Sequence, residues 1–165
     1  FGSPGVGKTH VAAVCVKIYI LNMEPVFRHE LSTVPQEVDY PVFSTVAELL
    51  LYVRDSFVQR DLSENDVLKR YWAAPLLVLD DLGGEKISEW SAKTLYTIIN
   101  RRYVQRLPVV ITSAMNLKEF QDRYNAASAA VGSAIARRIT ETSKILSLHA
   151  AQKTTAPGRN KEEDR

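Results

Sequence analysis

The chain has 165 residues, of which 45% are hydrophobic and 24% are charged, and its formal net charge is +2. This length and composition are typical of one soluble globular domain with a hydrophobic core. The small net charge is no evidence for nucleic-acid binding by itself, and no apolar run in this sequence approaches the roughly 18 residues that a membrane span needs.

The first element is a phosphate-binding loop. Residues 2–9 match the pattern G-x-x-x-x-G-K-[ST] through Gly2, Ser3, Pro4, Gly5, Val6, Gly7, Lys8 and Thr9. Glycines let backbone N–H groups point at phosphate oxygens, and we expect Lys8 to reach the β- and γ-phosphates and Thr9 to bind Mg²⁺. His10 belongs to the same predicted nucleotide-binding segment, although a surface or packing role is more ordinary for it. The loop predicts a nucleotide-binding protein.

A loop of this kind follows a β-strand and opens a helix, because the strand aims the loop and the helix N-terminus attracts phosphate. Only Phe1 precedes the loop here, so we expect the first strand to be largely missing and the chain to be a fragment of a longer protein. An adenine-contacting segment or a partner-binding domain would then lie upstream of Phe1.

Helices and strands alternate along the rest of the chain. The loop requires a helix directly after it, even though the valines and isoleucines of this segment favour a strand. The segment also contains Cys15, the one cysteine of the chain, which fits a small core residue and a reducing cytoplasm. The predicted elements up to the middle of the chain are a helix over 8–21, an irregular connection over 22–41, a strand over 41–44, a helix opened by the Thr45 and Glu48 capping box, and a helix from Ser63 to about Trp72.

The second half predicts an α/β fold around a parallel sheet, because continuous apolar runs alternate with helical patterns. Its predicted elements are a buried strand over 76–79, a helix opened by Ser88 with Leu95, Ile98, Ile99 and Tyr103 on one face, a buried strand over 108–112, helices over 117–124 and 128–141, and a strand over 145–148. We expect one domain over 1–149 and a polar, disordered tail over 150–165.

Two adjacent carboxylates, Asp80 and Asp81, follow the apolar run at 76–79. The C-terminal end of a buried strand is where ligands bind in open α/β sheets. In a phosphate-loop protein one carboxylate holds Mg²⁺ and the next can polarise the attacking water, so we assign Asp80 to the metal and Asp81 to water activation. A solvated Asp-Asp turn is the structural alternative, but the presence of the loop favours the functional interpretation.

Other classes of phosphate-loop protein fit less well. The guanine-specific Asn-Lys-x-Asp pattern is absent from the folded part, and we find no clear arginine-rich lid of the kind that small-molecule kinases use. These observations leave an ATPase whose product is conformational work.

Five segments of the chain occur together in one known family. They are GKTH at 7–10, LDDLG at 79–83, SEW at 88–90, LYTIINRRY at 95–103 and LPVVITS at 107–113. Over residues 1–148 the chain resembles the DnaC/IstB-type AAA+ ATPases, which include helicase loaders and transposition helper ATPases. The resemblance implies hydrolysis of ATP with Mg²⁺ and a three-layer AAA+ core, whose parallel sheet has the strand order 5-1-4-3-2.

The resemblance also implies a polar sensor-1 residue after the fourth strand, where the family usually has Asn and this chain has Ala114. Thr112, Ser113 and Asn116 are the candidates, and we prefer Ser113 because Asn116 also reads as the cap of the next helix. The family's C-terminal Gly-x-Asp-x-Arg is replaced here by residues 148–152, so no sensor-2 arginine is assigned.

The family's arginine finger follows a helix in a Ser-Arg-Leu-like context, which Arg137, Arg138 and Ile139 match. Helical periodicity returns Arg138 to the face of Val131 and Ile135, and an arginine on an apolar stripe lies at an interface or extends from a core. We therefore predict that Arg138 acts on the site of a neighbouring subunit, which requires self-association. Arg137 points elsewhere and is expected to be solvated.

Members of the family contact single-stranded DNA from the helical region after the second strand. This chain has Arg54, Arg60, Lys69 and Arg70 there, although charged faces of surface helices are an equally good interpretation. Tyr71 and Trp72 could stack on bases, but packing in the core is commoner for such residues.

The leading hypothesis is a cytoplasmic replicative helicase loader in which the ATP state controls engagement of the helicase and of single-stranded DNA. A transposition helper ATPase acting with a transposase is the alternative within the family. A nucleotide-dependent scaffold with little turnover is the alternative from another class.

Overall fold

The computed structural model describes residues 1–22, 40–58 and 63–149. In chain order the elements of this part are α1 (Lys8–Asn22), β1 (Val42–Thr45), α2 (Val46–Ser56), α3 (Glu64–Trp72), β2 (Leu77–Asp80), α4 (Glu89–Gln105), β3 (Val109–Ile111), α5 (Leu117–Ala127) and α6 (Val131–Thr142). The predicted α/β order is therefore confirmed from residue 8 to residue 142. Most of the expected connection over 22–41 and the whole expected tail over 150–165 lie outside the described residues.

The described strands form one parallel sheet in the order β1-β2-β3. Leu77 is aligned with Val42 of β1 on one side and with Val109 of β3 on the other. Residues 77–79 are completely buried, as expected for a central strand covered by helices on both faces. This part of the sheet corresponds to strands 2, 3 and 4 of the expected order.

The prediction of a strand over 145–148 is wrong. These residues lie beside Phe1, whose amino group donates to the Leu146 carbonyl (2.7 Å) and whose carbonyl accepts from the Leu148 N–H (2.8 Å), but no longer ladder forms. Gly2 donates its N–H to the Ser113 carbonyl (3.2 Å), so Phe1 and Gly2 lie between residues 146–148 and the end of β3. That is the position of strand 1 in the order 5-1-4-3-2.

The predicted burial of the 108–112 strand is only partly confirmed. Val109, Val110 and Ile111 are half-buried, because β3 is an edge of the sheet that the described residues form. Because β2 and β3 are paired in parallel, the C-terminal ends of the two strands lie side by side.

The core is one cluster of buried residues from the strands and the surrounding helices. Helix α2 contributes Val46, Leu49, Leu50 and Val53, while Tyr71 and Trp72 of α3 are only 3% and 5% exposed. The core interpretation of these two aromatic residues is therefore confirmed, and neither offers a free ring face for a base. Among the described residues, no helix has both the length and the apolar character needed to cross a membrane.

Candidate nucleotide-binding site

The phosphate loop lies between Phe1 and α1, with Gly5 and Gly7 at φ angles of +81° and +90°. A Cβ atom at either position would meet no other atom, so glycine is required by the left-handed backbone and not by space. Helix α1 begins at Lys8, which directs free backbone N–H groups of its first turn toward the loop. The loop therefore presents donors to an anion.

Lys8 places its ammonium group within the loop. Its Nζ donates to the carbonyls of Gly2 (2.7 Å) and Ser3 (3.0 Å). An ammonium group has three N–H donors, so one is left for a phosphate oxygen. His10 lies on the first turn of α1 and is exposed.

Thr9 and Asp80 are brought into contact although they are 71 residues apart in the chain. The Thr9 hydroxyl donates to Asp80 Oδ2 (2.9 Å) and lies 3.2 Å from Oδ1, and Asp80 is 5% exposed. A hydroxyl and a carboxylate are the hard oxygen ligands that Mg²⁺ prefers, and Mg²⁺ usually completes its octahedron with substrate phosphates and water. The described residues include no group of three or more His, Cys, Asp or Glu side chains arranged to hold a metal by themselves. The pair therefore fits a Mg²⁺ ion that arrives with a nucleotide.

Thr112 connects the two carboxylate residues. Its hydroxyl donates to Asp80 Oδ1 (2.6 Å) and accepts the backbone N–H of Asp81 (2.9 Å). The Ser113 hydroxyl, by contrast, donates to the Leu82 carbonyl (2.6 Å) and accepts the Met115 N–H (3.0 Å). Thr112, and not the preferred Ser113, is thus the polar residue after β3 that contacts the acidic pair.

The third sensor candidate, Asn116, caps a helix. Its Oδ1 accepts the Glu119 N–H (2.9 Å), and the Glu119 carboxylate accepts the Asn116 N–H (3.0 Å). The predicted capping role of Asn116 at the start of α5 is confirmed.

Asp81 differs from Asp80 in conformation and exposure. Its φ angle is +57°, a left-handed value that a residue with a side chain rarely adopts. This conformation ends β2. The buried Asp80 side chain points toward Thr9 and Thr112, whereas Asp81 is exposed. The two carboxylates can therefore have different roles, one toward the metal and one toward solvent.

Comparison with known proteins agrees with this geometry. Residues 1–155 match the family model described as IstB-like ATP binding protein. The chain belongs to the IstB-like ATP-binding protein family. The resemblance that the five sequence segments indicated is confirmed, and so is the expectation that ATP is the nucleotide.

Two kinds of relative support the fold. This IstB-like chain is 25% identical over 118 residues to the replicative helicase loader DnaC of Escherichia coli (strain K12), a stretch that covers 72% of this chain and 42% of DnaC. The chain thus spans less than half the length of that relative. Among solved structures it is similar to the DnaC helicase loader (TM-score 0.63, 27% identity, 90% of this chain and 75% of that one). It is also similar in fold to DnaI (TM-score 0.69, 23% identity, 90% and 70%). These similarities confirm the AAA+ fold.

Sequence reasoning missed Glu85, which is 8% exposed and lies in the turn after the acidic pair. Its Oε2 accepts the Gly83 N–H (2.8 Å), and its Oε1 accepts the hydroxyl hydrogen of Tyr124 on α5. Burial raises the pKa of the Glu85 carboxyl above its usual range. Nothing in the local sequence distinguishes this glutamate from a surface charge.

The predicted finger, Arg138, lies against α4 of its own chain. Its Nε donates to Asn100 Oδ1 (2.6 Å), and its guanidinium carbon lies 4.8 Å from the Tyr103 ring centroid and 5.5 Å from that of Tyr96. Within the described part of the IstB-like chain, Arg138 makes no ion pair and no hydrogen bond to the loop or to the acidic pair. Arg137 is exposed and lies 3.8 Å from the carboxylate of Glu141, as expected of a solvated charge.

The predicted DNA-contacting side chains are only partly described. Arg54 on α2 and Lys69 and Arg70 on α3 are exposed, whereas Arg60 lies outside the described residues. The ring of Trp72 is covered by the Arg101 guanidinium, whose carbon lies 4.0 Å from the ring centroid. A DNA contact on this side would therefore depend on the basic groups and not on stacking by Trp72.

Proposed function

We propose that this protein hydrolyses ATP and acts in DNA replication as a replicative helicase loader. The observation that carries the ATPase proposal is the cluster of Thr9, Asp80 and Thr112 directly beside the phosphate loop. The loader proposal rests on the similarity to DnaC and is extended from a relative of which this chain covers 42%.

The proposal assigns tasks to the three cluster residues and to Lys8 and Asp81 beside them. Lys8 binds phosphate oxygens, while Thr9 and Asp80 hold the nucleotide's Mg²⁺, which neutralises charge on the transferred phosphoryl group when it is bound. Asp81 orients the attacking water and accepts its proton. Thr112 fixes Asp80 and takes the sensor-1 position in preference to Ser113, which remains the weaker candidate.

Asp81→Asn tests the ATPase proposal. The substitution keeps the shape of the side chain but removes the proton acceptor, so we expect kcat to fall on the order of 100-fold with little change in ATP affinity. Steady-state hydrolysis by the natural full-length protein and equilibrium binding of an ATP analogue measure the two quantities. Asp122→Asn on α5, whose carboxylate pairs with Lys118 on the surface, is the matched control.

The same assay separates the alternatives. If the wild-type protein and Asp81→Asn both show the same negligible rate, the protein is a nucleotide-dependent scaffold and the enzyme proposal is wrong. Addition of the host's replicative helicase and single-stranded DNA should change the wild-type rate if the protein is a loader. A response to a transposase instead would support the transposition helper.

We further propose that Arg138 acts on the nucleotide of a neighbouring subunit. The proposal is supported by the chemistry of its contacts, because Asn100 and two tyrosine rings fix the guanidinium without neutralising its charge. A finger needs this combination of fixed geometry and free positive charge. The finger also requires self-association.

Arg138→Ala should lower kcat on the order of 100-fold, since one fixed donor to the transition state is removed. Mixing Arg138→Ala with Lys8→Ala, each inactive alone, should restore part of the activity because intact sites receive intact fingers. Arg137→Ala is the neighbouring control and should remain active. Absence of recovery in protein mixtures shown to co-assemble would contradict action in trans.

A further inference from the structure

The turn over residues 81–85 determines where the Asp81 carboxylate lies. The Asp81 N–H is held by Thr112, and its carbonyl accepts the Gly84 N–H (3.0 Å). A side chain at Gly84 would displace the Asp81 carboxylate, because a Cβ there would lie 2.1 Å from Asp81 Oδ2 and 2.8 Å from Cγ. The Asp81 carboxylate therefore packs directly on Gly84, and the position of Gly84 limits where this carboxylate can lie.

Glu85 holds this turn against α5. Both of its carboxylate oxygens are used, one by the Gly83 N–H and one by the Tyr124 hydroxyl. Tyr124 is completely buried and packs on Phe120 with ring centroids 4.3 Å apart, so it is a rigid partner. A second polar link from the turn to α5, from Arg123 Nη1 to the Gly83 carbonyl, is long at 3.5 Å.

We propose that Glu85 is a positioning residue for Asp81: by joining Gly83 to Tyr124, it fixes the turn on which the Asp81 carboxylate rests. The inference rests on the proposed ATP hydrolysis. Glu85 does not act on water itself, because it is buried and both of its oxygens accept hydrogen bonds from groups of the protein. Since α5 packs on α6, the same contact also joins the turn to the helix that carries Arg138.

Two substitutions at Glu85 separate positioning from chemistry. Glu85→Ala removes both hydrogen bonds, whereas in Glu85→Gln the amide oxygen can accept from Gly83 and the amide nitrogen can donate to the Tyr124 oxygen. We expect kcat to fall about 30-fold in Glu85→Ala and less than about 3-fold in Glu85→Gln, because small misplacements of a catalytic group are costly. The affinity for an ATP analogue should stay within about 2-fold in both, since the phosphate loop is untouched.

Tyr124→Phe keeps the ring packing and removes only the hydroxyl, so it tests the same contact if Glu85→Ala fails to fold. Its kcat should lie between those of the two Glu85 variants. Glu89→Ala, which removes an exposed carboxylate paired with Lys93, is the surface control. Thermal unfolding of every variant identifies losses that come from instability.

A double-mutant cycle completes the test. In an Asp81→Asn background, Glu85→Ala should cause little further loss of kcat, because a residue that acts only through Asp81 has nothing left to position. Additive losses would contradict the proposal, as would wild-type activity in Glu85→Ala or a loss in Glu85→Gln as large as that in Glu85→Ala. The wild-type rate decides the proposed ATPase function separately, and the positioning role falls with it if that rate is negligible.

Discussion

Lys8→Ala is expected to weaken ATP binding about 1,000-fold, or about 4 kcal/mol, and to reduce hydrolysis to background. The substitution removes the positive charge held by the Gly2 and Ser3 carbonyls, together with the N–H donor left for a phosphate oxygen. Charge-assisted hydrogen bonds to phosphate are among the stronger polar contacts in proteins. Equilibrium titration with a fluorescent ATP analogue measures the loss.

Thermal unfolding provides the second measurement for this variant. A ligand that binds only the folded state increases the free energy of unfolding by RT ln(1 + [L]/Kd), and it therefore raises the unfolding temperature. ATP with Mg²⁺ should therefore stabilise the wild-type protein and Lys17→Ala, whose exposed lysine lies on the same helix, but not Lys8→Ala. Equal stabilisation of all three proteins would show that the loop is not the nucleotide site.

The loop and the acidic pair could be predicted because short-range rules determine them. The spacing of Gly5, Gly7 and Lys8 predicts a loop whose glycines adopt left-handed backbone conformations, and the φ angles of both glycines agree with it. Asp80 follows a short apolar run that is typical of a buried strand in a parallel sheet, so its place at the C-terminal end of the sheet follows from topology. The contact between Thr9 and Asp80, which are 71 residues apart in the chain, follows from the parallel fold alone.

Which of the Thr112 and Ser113 hydroxyls contacts Asp80 depends on the register of the sheet. Leu79 is aligned with Ile111, so the next residues, Asp80 and Thr112, are neighbours at the strand ends. A resemblance that places the sensor after Thr-Ser does not specify which hydroxyl turns toward Asp80. A parallel alignment of the two apolar runs, one residue at a time, is the sequence signal that could have placed Thr112 beside Asp80.

Buried charged residues were the least predictable feature. Arg101 and Arg102 are adjacent in the sequence, yet Arg101 is exposed while Arg102 is 1% exposed. Helical periodicity indicated the difference, because Arg102 lies seven residues after Leu95 and so continues the apolar face of Leu95, Ile98 and Ile99. An arginine on an apolar stripe lies at an interface or extends from a core. Its burial depends on acceptors, and those of Arg102 come from distant parts of the chain.

Arg102 joins three parts of the structure through backbone carbonyls. Its Nη1 donates to the carbonyls of Tyr71 (3.0 Å), Trp72 (3.2 Å) and Ala74 (2.7 Å), and its Nη2 donates to the carbonyl of Pro108. The first two carbonyls belong to the last turn of α3, where free acceptors favour a cation. Burial lowers the pKa of the Arg102 guanidinium to about 10, so the group remains charged at neutral pH.

Arg102→Ala should therefore destabilise the protein by about 3–5 kcal/mol, because buried carbonyls lose their donor and a cavity remains. Arg102→Lys should cost less, about 2 kcal/mol, since an ammonium group has three donors but cannot span α3 and Pro108 as a planar guanidinium does. Urea unfolding measures both values, and Arg101→Ala, which removes an exposed cation over the Trp72 ring, is the adjacent control at about 0.5–1 kcal/mol. A loss below about 1 kcal/mol in Arg102→Ala would mean that the carbonyls find water, and that α3 and β3 are held together by apolar packing without the arginine.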